Sequence, residues 1–303
     1  MRVAIIDMGT NTFHLMIADK VNGTQKIVHR ERQAVKLGMA GINEGFITPE
    51  AIERAVFCLA NFRSTIDAFQ ATATMAFGTS ALRNAHNAED VIERIRRETG
   101  IVPITISGDV EADYIYRGVQ GALHLGKINS LIVDIGGGSV EFIIGNQQRV
   151  VWKQSLEIGA QRLLEKFHRQ DPISLEEVAD LDRFFSQALV PVFDALQQHT
   201  PAVLVGSSGT FDTLSDIFCI KMGLTKDPDA AETPLTLAGF LDIYHELMQK
   251  NRAARLQIPG MIEMRVDMIV VACCLIRHII ERYAFQDIRV SSYALKEGVL
   301  ATL

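Results

Sequence analysis

One unit, present twice, constrains this chain more than any other feature. Residues 1–19 read MRVAIIDMGTNTFHLMIAD and residues 129–145 read NSLIVDIGGGSVEFIIG. In each, an apolar run rich in β-branched residues ends at an acid, Asp7 or Asp134. A glycine turn follows and a second apolar run returns. Short apolar runs bounded by glycine are buried strands, and a pair of them is a hairpin. A third strand is expected after each hairpin: TQKIVHRERQ, beyond the turn VNGT, and RVVWKQSLEIG. Helical and strand patterns then alternate. The first half continues with a helix capped by Thr48 with Pro49 at its first position, the strand ATATMAFG, a helix capped by Asn87 and closed by Gly100, the strand VPITI and the helix DVEADYIYRGVQGALHL. The second continues with the helices GAQRLLEKF and SLEEVADLDRFFSQALVPVFDALQQH, the strand AVLVG, the breaker SSGT, a helix from Phe211, helices near 235–250 and 261–283, the strand DIRVSS and the helix ALKEGVLATL. This order predicts an α/β chain of two similar domains, 1–125 and 126–303, each a mixed sheet flanked by helices. With no low-complexity linker, the junction is expected to be a hinge, with a cleft between the halves where both glycine turns face.

Composition narrows the function. The formal net charge of −6 gives no general pull toward nucleic acid or acidic lipid, so neither partner is expected and an anionic ligand needs a local site. Cys58, Cys219, Cys273 and Cys274 form no CxxC pair and read as reduced, buried residues. MRVAIIDMG lacks the apolar core and cleavage site of a signal peptide, and MIVVACCLIRHII is broken by Arg277 and too short to span a bilayer. A cytoplasmic protein is the expectation. The eight histidines, among them His14, His86, His124 and His278, make no zinc-ligand spacing.

The turns carry the chemistry. Glycine lets backbone N–H groups converge on one centre without an obstructing Cβ, and a phosphate oxygen is the natural guest. Taken alone, GGG is equally a tight hairpin; its recurrence with a paired Asp favours the anion site. Asp7 and Asp134 beside a phosphate call for an intervening cation, for which Mg²⁺ held by carboxylates, phosphate and water is the physical solution; each Asp as a cap of its own turn is the alternative. In FGTSALRNAHN, Gly78, Thr79 and Ser80 end a strand and open a helical segment, with Arg83 placed to clamp a phosphate or to sit solvated on the helix. GSSGTFDTL repeats the form with Gly206, Ser208, Gly209 and Thr210, where a hydroxyl is also a simple helix cap. No GxSxG elbow is present, which argues against a serine hydrolase.

Together these motifs resemble the actin-like ATPase superfamily with its ribonuclease H-like domains. Within it the chain is similar to the exopolyphosphatase/guanosine pentaphosphate phosphohydrolase family over essentially its whole length. AIIDMGTNTFHLMIA, GTSALRNAHN, ISGDVEADYIYRGV, VDIGGGSVEFIIG, GSSGT and SSYALKEGVL occur in the family's order. The resemblance implies hydrolysis of a terminal phosphoanhydride, of inorganic polyphosphate or of guanosine pentaphosphate, with Mg²⁺ or Mn²⁺ as cofactor and a homodimer as the assembly. It assigns Glu111 as the base that activates water and Asp134 and Glu141 as carboxylates supporting metal and water; Asp7 joins them as a metal carboxylate from its place beside the first glycine turn. Thr10, Asn11, Arg83, Gly136, Gly137, Gly138, Ser139, Gly206, Ser208, Gly209 and Thr210 become phosphate-binding positions. By helix position alone, Glu111 would equally be a first-turn acid complementing the dipole.

Departures from the family pattern bear on substrate and chain-length preference. Thr10 and Thr12 stand where Ser is usual, Val110 where a second acid is common, Val140 for Thr and Lys296 for Arg. The extra helical region of longer relatives is not in this sequence, so a shorter binding groove is expected. An actin-like nucleotide switch or chaperone, and a sugar kinase, rank lower: neither a partner-binding domain nor a sugar-binding insertion is evident. Arg265 and Asp267 are expected on a cleft-lining helix or as a surface ion pair. Arg30, Arg32, Lys36, Arg83 and Lys153 are the basic candidates for the cleft mouth, and sequence does not choose among them.

Overall fold

Each hairpin seeds a sheet of the same strand order. The structure is a computed structural model that describes residues 1–21, 24–227 and 229–303. In the first half, β1 (Arg2–Met8), β2 (Thr12–Val21) and β3 (Thr24–Ala34) form an antiparallel meander. There follow α1 (Pro49–Ala68), β4 (Ala73–Gly78), α2 (Ser80–Asn84), α3 (Ala88–Thr99), β5 (Pro103–Thr105) and α4 (Gly108–Ala122). The sheet order is β3-β2-β1-β4-β5, with β4 parallel to β1. The second half repeats the plan with the meander β6 (Ser130–Ile135), β7 (Val140–Gly145) and β8 (Val150–Leu156). It continues through α5 (Ala160–Phe167), α6 (Leu175–Ala188), α7 (Val190–His199), β9 (Val203–Ser207), α8 (Ser208–Lys221), β10 (Glu232–Thr233), α9 (Leu237–Gln249), α10 (Arg252–Leu256), α11 (Met268–Arg282), β11 (Asp287–Ser291) and α12 (Leu295–Thr302). Its order, β10-β11-β9-β6-β7-β8, is that of the first sheet with β10 added at one edge. Two mixed sheets flanked by helices are the predicted architecture. The turn VNGT includes Asn22 and Gly23, which lie outside the described residues.

Local sequence explains most boundaries. The Thr48 hydroxyl accepts from the Ala51 N–H, and Pro49 opens α1 where no intrahelical donor is lost. Gly100 closes α3 at φ 69°, a conformation glycine adopts without steric cost. Four expectations need correction. Asn87 precedes α3 but does not cap it, because its amide is spent on both backbone groups of Ile47. The long helix expected over 174–199 is two, α6 and α7, broken at Leu189: Pro191 has no N–H to donate and its ring crowds the preceding turn. SSGT is not a breaker, since α8 begins at Ser208 itself. The helix expected from 261 begins at Met268, so Arg265 lies in the turn ahead of it and Asp267 at its cap position rather than within the helix. All four cysteines are buried.

Three apolar clusters hold the chain. One joins the first sheet to α1 and α3, and one surrounds the second sheet. The third lies between them, where Val3 and Ile5 of β1 and Ile132 of β6 meet Ile115 and Val119 of α4 and Val299 of α12. The expected junction at 125/126 falls between α4 and β6, yet α12 packs on α4 and β1. This crossing requires close helix approach. A Cβ on Gly298 would collide with the Tyr114 carbonyl, and one on Gly118 with that of Ala294. Gly298→Ala is therefore expected to destabilise the protein by about 1–3 kcal/mol, as overpacking does, read as a lower denaturant midpoint at unchanged slope. Among the described residues, no helix is long and apolar enough to cross a membrane.

Candidate functional site

Strand pairing brings the acids together. Asp7 lies opposite His14 on β2, and Asp134 lies opposite Glu141 on β7, the same spacing in both hairpins. The turns beyond them, with α4, the start of α8 and the start of α12, enclose a cavity of about 110 Å³. Asp7, Thr10, Asn11, Glu111, Asp134, Gly136, Gly137, Gly138, Ser139, Ser208 and Gly209 line it, so most of the residues expected at the site converge. Four do not line it. Gly206 sits in β9, where the Phe211 ring occupies the space of its missing Cβ, and Thr210 is buried in α8. Glu141 stands behind the cavity wall and accepts from Ser155 Oγ at 2.7 Å. Arg83 lies behind Glu111: its Nη1 donates to Glu111 Oε2 at 2.9 Å and to the Ile106 carbonyl at 3.1 Å, and its Nη2 to Glu157 Oε1 at 3.0 Å.

The second glycine turn is built with its donors facing outward. Its carbonyls are engaged by the start of α5: Ala160 N donates to Gly136 O at 2.9 Å, Gln161 N to Gly137 O at 2.8 Å and Gly159 N to Gly138 O at 3.0 Å. Arg162 Nε adds a bond to Gly138 O at 2.9 Å. Among the described residues, the N–H groups of Gly137, Gly138 and Ser139 donate to no protein acceptor. No side chain fits here, because a Cβ on Gly138 would strike Ser80 Oγ and approach Thr10 Oγ1 to 2.6 Å. The start of α8 supplies further unpaired donors. There Ser208 takes φ 75°, uncommon for a non-glycine residue and frequent at functional turns. Thr10 Oγ1, Asn11 Oδ1, Asp212 Oδ1 and Arg265 Nε are buried without a protein partner, and all four residues line the cavity. Six other unpaired buried atoms among the described residues, Arg63 Nε and His168 Nε2 among them, are scattered elsewhere, whereas these four gather at one cavity and mark a ligand site.

Electrostatics set the protonation. Burial pushes Asp7 and Asp134 each up to about 6, with Lys296 pulling both back. Burial and then the Asp134 charge push Glu141 up to about 8. Glu111 is raised well above its ordinary value, first by burial and then by Glu141, with Arg83 opposing. Asp212, buried near Lys226 and Arg265, is pushed up to about 6. Burial, then Lys296, Arg265 and Arg32, hold His14 well below its ordinary value and neutral. The cavity thus holds several carboxylates in strained proximity, which a cation would relieve. Among the described residues, no three His, Cys, Asp or Glu are placed to hold a metal by themselves. Mg²⁺ is ordinarily held by one or two carboxylates with phosphate and water, and Asp7 and Asp134 on the cavity wall fit that donor set.

Sequence reasoning missed His14, Asp212 and Lys296 as cavity residues. For His14 a signal existed: it follows Asp7 by the same interval that separates Glu141 from Asp134. Lys296 and Asp212 reach the cavity only through the packing of α12 and the early start of α8.

A two-sheet fold closing on a cavity of carboxylates and free backbone donors makes a site built to hold an anion. The sequence profile of the Ppx/GppA phosphatase family matches residues 16–303, and the chain belongs to that family. The crystal structure of an exopolyphosphatase from Cytophaga hutchinsonii is 44% identical and superimposes with a TM-score of 0.97, covering 100% of this chain and 97% of that one. The PPX-GPPA enzyme of Aquifex aeolicus is 28% identical with a TM-score of 0.80, covering 100% and 99%. A candidate exopolyphosphatase of Haemophilus influenzae is 29% identical over 304 residues, 99% of this chain and 91% of that protein.

Proposed function

We propose that the chain hydrolyses the terminal phosphoanhydride bond of inorganic polyphosphate and releases orthophosphate. The observation that carries this reading is Glu111, a buried carboxylate at the cavity wall, oriented by Arg83 and facing a turn with three free N–H donors. Phosphoryl transfer needs an in-line nucleophile and neutralised oxygens more than covalent help. Glu111 takes the proton of the attacking water. The N–H groups of Gly137, Gly138 and Ser139 and the start of α8 hold the phosphoryl oxygens, and Lys296 and Arg265 offset their charge. Asp134, with Asp7, would hold Mg²⁺ or Mn²⁺, and Glu141 supports Asp134 from behind. Such a cation, when bound, supplies Lewis-acid neutralisation of phosphate oxygens. The identity to the Cytophaga exopolyphosphatase supports polyphosphate as the substrate. Guanosine pentaphosphate ends in the same bond and is the comparison substrate. Orthophosphate release with Mg²⁺ from polyphosphates of graded length and from guanosine pentaphosphate tests this directly. Turnover is expected on polyphosphate; no release from any polyphosphate would refute the reading.

The raised carboxylates give a second expectation. Asp7 and Asp134 go from 3.8 to about 6, and Glu141 from 4.5 to about 8. The folded state then binds more protons than the unfolded one across this range, so the site's contribution to stability falls as pH rises from 4 to 8. A cation that binds the ionised carboxylates reverses that loss. The thermal shift produced by Mg²⁺ should therefore grow between pH 5 and 8; a shift independent of pH would contradict the assignment of these acids.

A further inference from the structure

The cavity holds about 110 Å³, too little for a polymer, so the rest of the chain must leave it by some path. Two grooves adjoin it. One, of about 290 Å³, lies beyond Arg83 and is lined by Arg83, Lys153, Asp109 and Glu157. Its cations are already engaged: Lys153 with Asp113 at 2.6 Å, and Arg83 with Glu111 and Glu157. The other, of about 420 Å³, runs between Arg32, Ala34 and Lys36 on one side and Arg252 and residues 262–264 on the other. Both its walls continue walls of the cavity. Arg32 and Ala34 are the direct cross-strand partners of His14 and Thr12, which line the cavity. Arg265 of the cavity is followed backward along the chain by Met264 and Glu263 of the groove. The groove is also tied to the first glycine turn, since Val35 N and Lys36 N both donate to the Asn11 carbonyl, at 2.9 and 2.8 Å.

The charges differ in the same sense. Among the described residues, Arg32 and Lys36 form no ion pair, and both side chains are exposed. Glu263 faces this groove, but Arg252 engages it at 3.2 Å. Lys296 and Arg265 face the cavity carboxylates Asp7, Asp134 and Asp212, while Arg32 and Lys36 in the groove beyond them have no carboxylate partner among the described residues.

We propose that the Arg32–Lys36 groove receives the non-reacting end of a polyanionic chain, and that this subsite sets the preference for long over short substrates. The proposal rests on the polyphosphate reading above. It assigns the path to one mouth of the cleft and excludes the groove at Lys153.

The test is Arg32→Glu combined with Lys36→Glu, both at exposed positions, assayed on long-chain polyphosphate and on tripolyphosphate. KM for the long chain is expected to rise about ten-fold or more, as follows from reversing the sign of two exposed cations that face a polyanion. Its salt dependence should become shallower. The kcat, and both constants for tripolyphosphate, should stay unchanged. Lys153→Glu should leave the ratio of long- to short-chain KM where it is. An unchanged long-chain KM, an equal shift for both substrates, or a selective effect of Lys153→Glu would overturn the proposal. If wild type turns over neither substrate, the polyphosphate reading fails instead. Direct binding of long-chain polyphosphate to wild type and to the double variant then decides the groove separately, with equal affinities overturning it.

Discussion

Glu111→Gln is expected to lower kcat by about 10³-fold while leaving KM within a factor of a few, the range that loss of a general base produces. The amide preserves the shape of the side chain. Arg83 keeps its bonds to Glu157 at 3.0 Å and to the Ile106 carbonyl at 3.1 Å, so the surrounding loop has reason to stay in place. Stability moves in the opposite sense to activity. Glu111 is raised by burial and by the Glu141 charge, so removing its charge relieves repulsion, and the thermal midpoint should not fall. Single-turnover phosphate release and thermal unfolding on one preparation separate the two effects. Wild-type turnover in this variant would remove Glu111 as the base, and a variant that is merely unfolded would show in the second measurement.

Asp134→Asn should cost about 10²–10³-fold in turnover at moderate Mg²⁺, corresponding to the several kcal/mol that Lewis-acid neutralisation contributes. Its carboxyl is pushed up by burial and then by the charge of Asp7, with the Ser207 and Ser208 hydroxyls pulling it back. The asparagine can keep the hydroxyl contacts but not the charge. The pH-dependent stabilisation by Mg²⁺ should shrink with it, while Glu141, no longer beside a like charge, should titrate nearer its ordinary range. Thermal shifts with and without Mg²⁺ at pH 5 and pH 8 provide the check. A variant that retains the full Mg²⁺ response would place the cation elsewhere.

The hairpins were legible because their information is local: apolar runs, an acid and glycine within twenty residues. The repeated interval from Asp7 to His14 and from Asp134 to Glu141 even carries the register of both sheets. What stayed hidden depends on contacts between distant segments. Lys296 reaches the cavity because Gly298 and Gly118 let α12 lie against α4, a pairing no local pattern states. Asp212 was missed because α8 starts at Ser208 in a left-handed conformation, and serine gives no advance sign of that. Arg265 was expected on a helix. It instead occupies the turn before α11, its guanidinium packed where a Cβ on Gly209 would stand. Among the basic candidates for the mouth, Lys153 and Arg32 look alike in sequence, and only their partners distinguish them.

Hydrolysis in ¹⁸O-labelled water tests the central claim most directly. If water activated by Glu111 attacks the terminal phosphorus, as proposed, its oxygen ends in the product that leaves. Each released orthophosphate should carry one ¹⁸O, and the new end of the shortened polyphosphate should carry none. Label in the chain end rather than in orthophosphate, or cleavage that yields internal fragments without orthophosphate, would contradict terminal attack in this cleft.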